Sequence, residues 1–178
     1  MTLYKHIIDS IKEWQLKIGM EDTGIQLYYP KVALCGYFSV PESIENKELA
    51  KLVSENLKEN APFLGKPQMT VNKNDRFCFK FSAEACDYID KHVEMPAFLN
   101  DFLTCLKKQS LEEIRELFKN YADKYGDSYH EETEDEEMGH VFFFDSEDTD
   151  PYVYCVDDDG IALTYHRFAR SDYEQLKE

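Results

Sequence analysis

Phe77-Cys78-Phe79-Lys80-Phe81 alternates aromatic side chains with a small and a charged one. A period of two fits a β-strand with one buried face and does not fit a helix. Met69 and Val71 lead into the turn residues Asn72-Lys73-Asn74-Asp75, so 69–81 reads as an antiparallel hairpin. A second group follows later. Val141 to Phe144, Tyr152 to Val156 and Ile161 to Phe168 read as three strands, with Asp157-Asp158-Asp159-Gly160 as a tight turn in which Gly supplies a positive φ. Strands bunched in this way argue against regular βαβ alternation. The expected class is α+β, a mostly antiparallel sheet of four to six strands packed against several helices.

The helices are read from apolar stripes. Leu3, Ile7, Ile11, Trp14 and Ile18 fall on one face at period 3.6, and Gly19 can end the helix. Ile25 to Tyr29 is a short extended run stopped by Pro30. Lys31 to Phe38 fits either a short helix or a strand, and the proline favours the helix. Leu49, Leu52, Val53 and Leu57 stripe a helix from about Asn46 to Glu59, and Pro62, Gly65 and Pro67 mark a loop. Ser82 caps a helix to about Lys91. Pro96 starts another with Phe98, Phe102 and Leu106. Ser110 with Glu113 forms a capping box for a helix ending near Gly126, and Ser171 with Glu174 has the same spacing. The chain has 178 residues. At about 150 residues per domain, with no long linker and no repeat, one domain over 1–178 is expected. An acidic loop near 127–138 is read as an insertion.

Charge narrows the function. There are 20 Lys+Arg and 36 Asp+Glu, a net −16. Asp127 to Asp159 holds 14 acidic residues and no basic one. Phosphate binding needs clustered Lys and Arg, so nucleic acid is excluded as a partner, and an anionic membrane surface would repel the chain. A basic protein partner is the expected counterpart. Asp145, Glu147, Asp148 and Asp150 could hold a hard cation, but no Gly stands at the sixth position of a calcium loop, and a solvated acidic loop accounts for them better. No metal and no cofactor is assigned. Mutual repulsion should raise these carboxylate pKa values. The chain should then melt higher near pH 5.5 than near pH 8, and higher in roughly 0.3 M than in roughly 0.02 M salt.

Five cysteines stand at 35, 78, 86, 105 and 155. Their spacing fits neither a zinc site nor a disulfide framework, which points to buried reduced thiols. The start Met-Thr-Leu-Tyr-Lys-His has no apolar run of signal-peptide length, and no apolar stretch approaches about 18 residues. The expected compartment is the cytoplasm.

The candidate ligand- or partner-binding residues are Tyr154, Tyr165, His166 and Arg167. On a strand Tyr165 and Arg167 share one side, and His166 and Phe168 the other. Arg167 either anchors an anionic ligand in bidentate fashion or pairs with a local carboxylate. His166 is either a general base or a structural histidine. No nucleophile elbow, Gly-rich phosphate loop or His-Glu-x-x-His motif is present, and no catalytic residue is assigned. Acidic neighbours leave Cys155 poorly activated as a nucleophile. The leading reading is a non-enzymatic binding or regulatory module. The alternative is a small metal-assisted hydrolase or small-molecule-binding enzyme using His140, His166 and carboxylates between Asp145 and Asp150.

Several segments carry a resemblance: Leu27-Tyr28-Tyr29-Pro30, Arg76-Phe77-Cys78, Tyr152-Val153-Tyr154-Cys155, Tyr165-His166-Arg167-Phe168 and Asp172-Tyr173-Glu174. Their order resembles an uncharacterised bacterial family of similar length, a domain of unknown function. The resemblance covers nearly the whole chain and implies no reaction, cofactor or catalytic residue. Where that family has a polar helix after Tyr-Tyr-Pro, this chain has Val32-Ala33-Leu34-Cys35.

Overall fold

The structure is a computed structural model that describes residues 1–19, 23–94, 96–133 and 139–176. The middle of the acidic stretch, residues 134–138, lies outside the described residues. The described residues hold seven α-helices, seven strands and one 3-10 turn. Every strand pair is antiparallel, and the class is α+β. The strands form two sheets, one of three and one of four strands. The chain divides into two compact units, Met1–Glu94 and Met95–Glu178.

The first unit contains α1 (Leu3–Ile18), β1 (Gln26–Pro30), α2 (Lys31–Phe38), α3 (Asn46–Asn60), a 3-10 turn (Pro62–Leu64), β2 (Gln68–Val71), β3 (Arg76–Lys80) and α4 (Ala83–His92). Residues 31–38, open to two readings, are helical. Pro30 stands just before the first turn with φ −65°, the value its ring imposes and a helix start accepts. The hairpin forms as expected. The Asn72 Oδ1 accepts the backbone N–H groups of Asn74 (2.9 Å) and Arg76 (3.0 Å), which closes the turn. β3 is the central strand, flanked by β1 and β2. Pro30, which cannot donate to a ladder, sits at the end of the edge strand β1. The alternation has the expected result: Phe77 and Phe79 are fully buried with Ile7, Ile11, Leu34, Leu49 and Val53. Arg76, Cys78 and Lys80 therefore face away from that core. Ser82 caps α4 by accepting the Ala85 N–H at 3.2 Å.

The second unit contains α5 (Ala97–Lys107), α6 (Leu111–Tyr125), β4 (Tyr129–Glu132), β5 (His140–Phe144), β6 (Tyr152–Asp158), β7 (Leu163–Ala169) and α7 (Arg170–Leu176). The strands form a meander in sequence order. Phe98 and Phe102 of α5 and Phe118 of α6 pack against Phe142, Phe144, Tyr154 and Tyr165 on one sheet face. Tyr173 of α7 packs with Val141, Val153 and Cys155 on the other. Ser110 caps α6 through the Glu113 N–H.

Three local expectations are corrected. Tyr129–Glu132, read as part of an acidic loop, is strand β4, because Glu131 is neutralised by Arg115 and so loses its preference for solvent. The β6–β7 turn lies two residues later than expected: Asp158 pairs with Leu163, leaving residues 159–162 as the loop. The Asp159 carboxylate stabilises that loop by accepting the N–H groups of Ile161 (2.8 Å) and Ala162 (2.9 Å). Ser171 is inside α7, which begins at Arg170 directly after β7, so it does not stand at the cap position.

Candidate functional site

Strand register settles where the four sequence candidates point. Tyr154 pairs with Arg167 across β6 and β7, and Val156 with Tyr165, so Tyr154, Tyr165 and Arg167 share the helix-packed face. His166 pairs with Cys155 on the opposite face and is exposed. Tyr154 is fully buried, and its hydroxyl lies 3.2 and 3.3 Å from the two oxygens of the buried Asp150 carboxylate. Tyr165 rests edge-on against Phe102 at 5.0 Å. The Arg167 guanidinium lies 3.9 Å from the centroid of Tyr152. Three of the four therefore stand with the aromatic core, and the histidine is separated from them by the sheet.

The same register separates the pair on which a metal centre would depend. His140 pairs with Val156, which puts it on the Tyr165 face, opposite to His166. Its Nδ1 lies 3.1 Å from Glu131 Oε1, and Glu131 also accepts the Nε (2.9 Å) and Nη2 (2.8 Å) of Arg115. Asp150, one of the proposed carboxylates, is committed to Tyr152 N–H and Tyr154. His140 and His166 cannot meet one ion. Among the described residues no three His, Cys, Asp or Glu side chains are grouped to hold a metal.

The acidic segment is split between the two ends of the four-stranded sheet. Asp145, Glu147 and Asp148 lie in the β5–β6 connection, and Asp157, Asp158 and Asp159 at the far end of β6; all six are exposed. The expected rise in carboxylate pKa is reversed at three positions. Arg115 and then His140 hold the Glu131 carboxyl below its usual range, although burial opposes them. Burial is the largest influence on Asp127 and pushes it up, but hydrogen bonds from Thr149 and the Ser128 and Ser146 N–H groups outweigh it. The Ala162 and Ile161 N–H groups lower Asp159. Asp172 goes the other way, raised by burial.

A group whose folded pKa is depressed contributes stability above its unfolded pKa and loses it as pH falls through the folded value. The melting temperature is therefore expected to stay level between about pH 8 and pH 5.5 and to fall below about pH 4, the unfolded carboxylate range. Asp172 acts in the opposite sense and lessens the fall. Thermal denaturation across that range checks it; a rise on going from pH 8 to 5.5 would restore the expectation of repulsion.

One feature escaped the sequence reading. The outward face of the first unit's sheet encloses an open depression of about 320 Å³ whose lining includes Tyr28, Thr70, Arg76, Cys78 and Lys80. The alternation that buried Phe77 and Phe79 already placed Arg76, Cys78 and Lys80 together on the other side, so the signal was present. A smaller groove of about 140 Å³ in the second unit lies between Phe143, Val153, Arg170 and Tyr173.

A family model described as a domain of unknown function, E. rectale gene description (DUF3877), matches residues 1–177. The chain belongs to this family. DUF3877 is thus the uncharacterised bacterial family that the motifs resembled, and its description assigns no reaction. No curated protein and no solved structure matches the chain. Among the described residues, no helix is long and apolar enough to cross a membrane.

Proposed function

We propose that this chain is a non-enzymatic binding or regulatory protein that engages a basic protein partner through its second unit. The observation carrying the proposal is the division of charge. Met1–Glu94 holds 12 basic and 14 acidic residues, whereas Met95–Glu178 holds 8 and 22. A field of one sign speeds encounter with a partner of the other sign and repels nucleic acid. The contact is assigned to the β6–β7 tip, where exposed Asp157, Asp158 and Asp159 adjoin Ile161, which is 91% exposed. An apolar side chain framed by charges offers both contact area and steering. The five free thiols suit the reducing cytoplasm, and burial raises the pKa of Cys35, Cys86 and Cys105, which weakens them as nucleophiles.

The test is a pull-down with purified chain at low and moderate salt, comparing the native protein with D157N/D158N/D159N. Asparagine keeps the side-chain oxygen that accepts the turn N–H groups, so the loop is retained while three charges are removed. The native chain is expected to retain a basic protein at about 0.05 M salt and release most of it at about 0.3 M. The variant should retain little at either. Equal retention by both proteins, or no basic partner at the lower salt, would overturn the proposal.

A further inference from the structure

The outward face of the first unit's sheet is a small grid. Cys78 occupies its centre, with Tyr28 opposite on β1 and Thr70 opposite on β2. Arg76 and Lys80 lie two residues away on either side along β3, and Gln26 and Gln68 flank Lys80. A short thiol surrounded by longer side chains leaves a dent, and this is the floor of the 320 Å³ depression. That size is at the lower end of the roughly 300–1,000 Å³ of small-molecule sites.

The chemistry of the lining is selective. No Asp or Glu contributes to it, in a chain with 36 of them. Among the described residues neither Arg76 nor Lys80 has a carboxylate partner. Their Cα atoms are about 14 Å apart at roughly 3.4 Å per residue, within the joint reach of two long side chains bending inward over Cys78. The Gln26 carbonyl is already engaged, accepting from the Tyr28 hydroxyl at 2.9 Å and facing the Cys78 thiol at 3.9 Å. Its amide NH2 therefore remains to donate outward. Gln68 and Thr70 add groups that both donate and accept. Tyr28 is 53% exposed, presenting an aromatic surface next to these polar groups.

We propose that this face binds a mononucleotide, with the phosphate held between Arg76 and Lys80 and the base against Tyr28 within reach of Gln26, Gln68 and Thr70. Cations without a carboxylate partner select an anion, the Arg76 guanidinium lies 5.9 Å from the Tyr28 ring centroid and so brings the phosphate and base positions together, and the amides beside that ring select a planar polar heterocycle. A nucleic-acid strand fits less well. Sheets that bind single strands stack successive bases on two or three aromatic residues, and this face offers one. The chain's net −16 also opposes a polyanion while tolerating a single phosphate. The inference rests on the first unit and does not require the acidic tip to bind anything.

The experiment is titration of the full chain with AMP, GMP, CMP and UMP, followed by calorimetry and by NMR amide shifts. Adenosine, guanosine, cytidine, uridine, inorganic phosphate and a uridine oligonucleotide serve as comparison arms. At least one monophosphate is expected to bind with a dissociation constant below about 1 mM and to move the amides of β1, β2 and β3. Arg76→Ala and Lys80→Ala should each weaken it about tenfold, the loss of a charge-assisted contact. Cys78→Leu should do the same without changing charge, by filling the dent. These side chains face away from the core, and an unchanged amide spectrum elsewhere will show that the variants fold. Four results would overturn the proposal. These are no monophosphate binding below about 1 mM, affinity indifferent to all three substitutions, inorganic phosphate or the matching nucleoside binding as tightly as its monophosphate, and the oligonucleotide binding more tightly than any monophosphate.

Discussion

Phe118→Ala is expected to destabilise the second unit by about 3–5 kcal/mol, the range for removing a fully buried aromatic ring. Phe118 is fully buried in α6, where its ring meets both helix and sheet. It lies against Phe142 and Phe144 at 5.0 Å with interplanar angles of 23° and 28°. It also meets Phe98 at 4.8 Å and 71°, and Tyr154 at 5.8 Å and 77°. No neighbour can fill the space of a phenyl ring without breaking one of these contacts, so most of a cavity should persist. A domain of this size is stable by only about 5–15 kcal/mol, and the loss should be plain in a urea melt. The only tryptophan, Trp14, packs on the core of the first unit, so its fluorescence reports there. Near-ultraviolet and far-ultraviolet circular dichroism should therefore follow this variant. Phe118→Leu should cost clearly less, because it keeps most of the buried volume. A loss under about 1 kcal/mol for the alanine would mean that the ring is not at the centre of the packing.

The elements legible in the sequence were those fixed by local rules. The stripe of α1, the caps at Ser82 and Ser110 and the alternation in β3 each act within a few residues. Partner choice was not legible. β1 and β3 pair Gln26 with Lys80 and Pro30 with Arg76, 54 and 46 positions apart, across two intervening α-helices, and no local period encodes which strand lies beside which. The seven strands consequently could not be assigned to two sheets. The division at Glu94 and Met95 also carries no Gly- or Ser-rich signal.

The placing of the candidate residues was hidden for a related reason. Fourteen acidic residues in one window look like one surface, but strand direction sends Asp145–Asp148 to one end of the sheet and Asp157–Asp159 to the other. Arg167 was open between anchoring an anionic ligand and pairing with a local carboxylate; its strand places it over Tyr152. His140 and His166 seemed able to approach until register placed them on opposite faces. Conversely, nothing local in the sequence marks Arg76 and Lys80 as a site, because only β1 and β2 on either side of β3 turn their face into a lined depression.

Gly139→Ala should cost about 2–4 kcal/mol, from two causes that can be separated. Gly139 immediately precedes β5 and has φ +66°, a conformation that a Cβ disfavours by roughly 1–2 kcal/mol. It also runs close to β6: a Cβ there would stand 2.4 Å from the Val156 carbonyl oxygen and 3.1 Å from the Asp157 Cα. Both neighbours are backbone atoms of a paired strand, so relief requires moving β5 against β6. His140 is the next residue and pairs with Val156, so that movement would also draw it from Glu131, the carboxylate that Arg115 holds. Gly126→Ala is the control. Its φ of +65° carries the same backbone penalty, but nothing lies within 4 Å of an added Cβ. The difference between the two variants in urea denaturation measures the close approach alone. Gly139→Ala should be the worse by at least about 1 kcal/mol, and equal losses would show that β5 and β6 do not pass so near each other at this point.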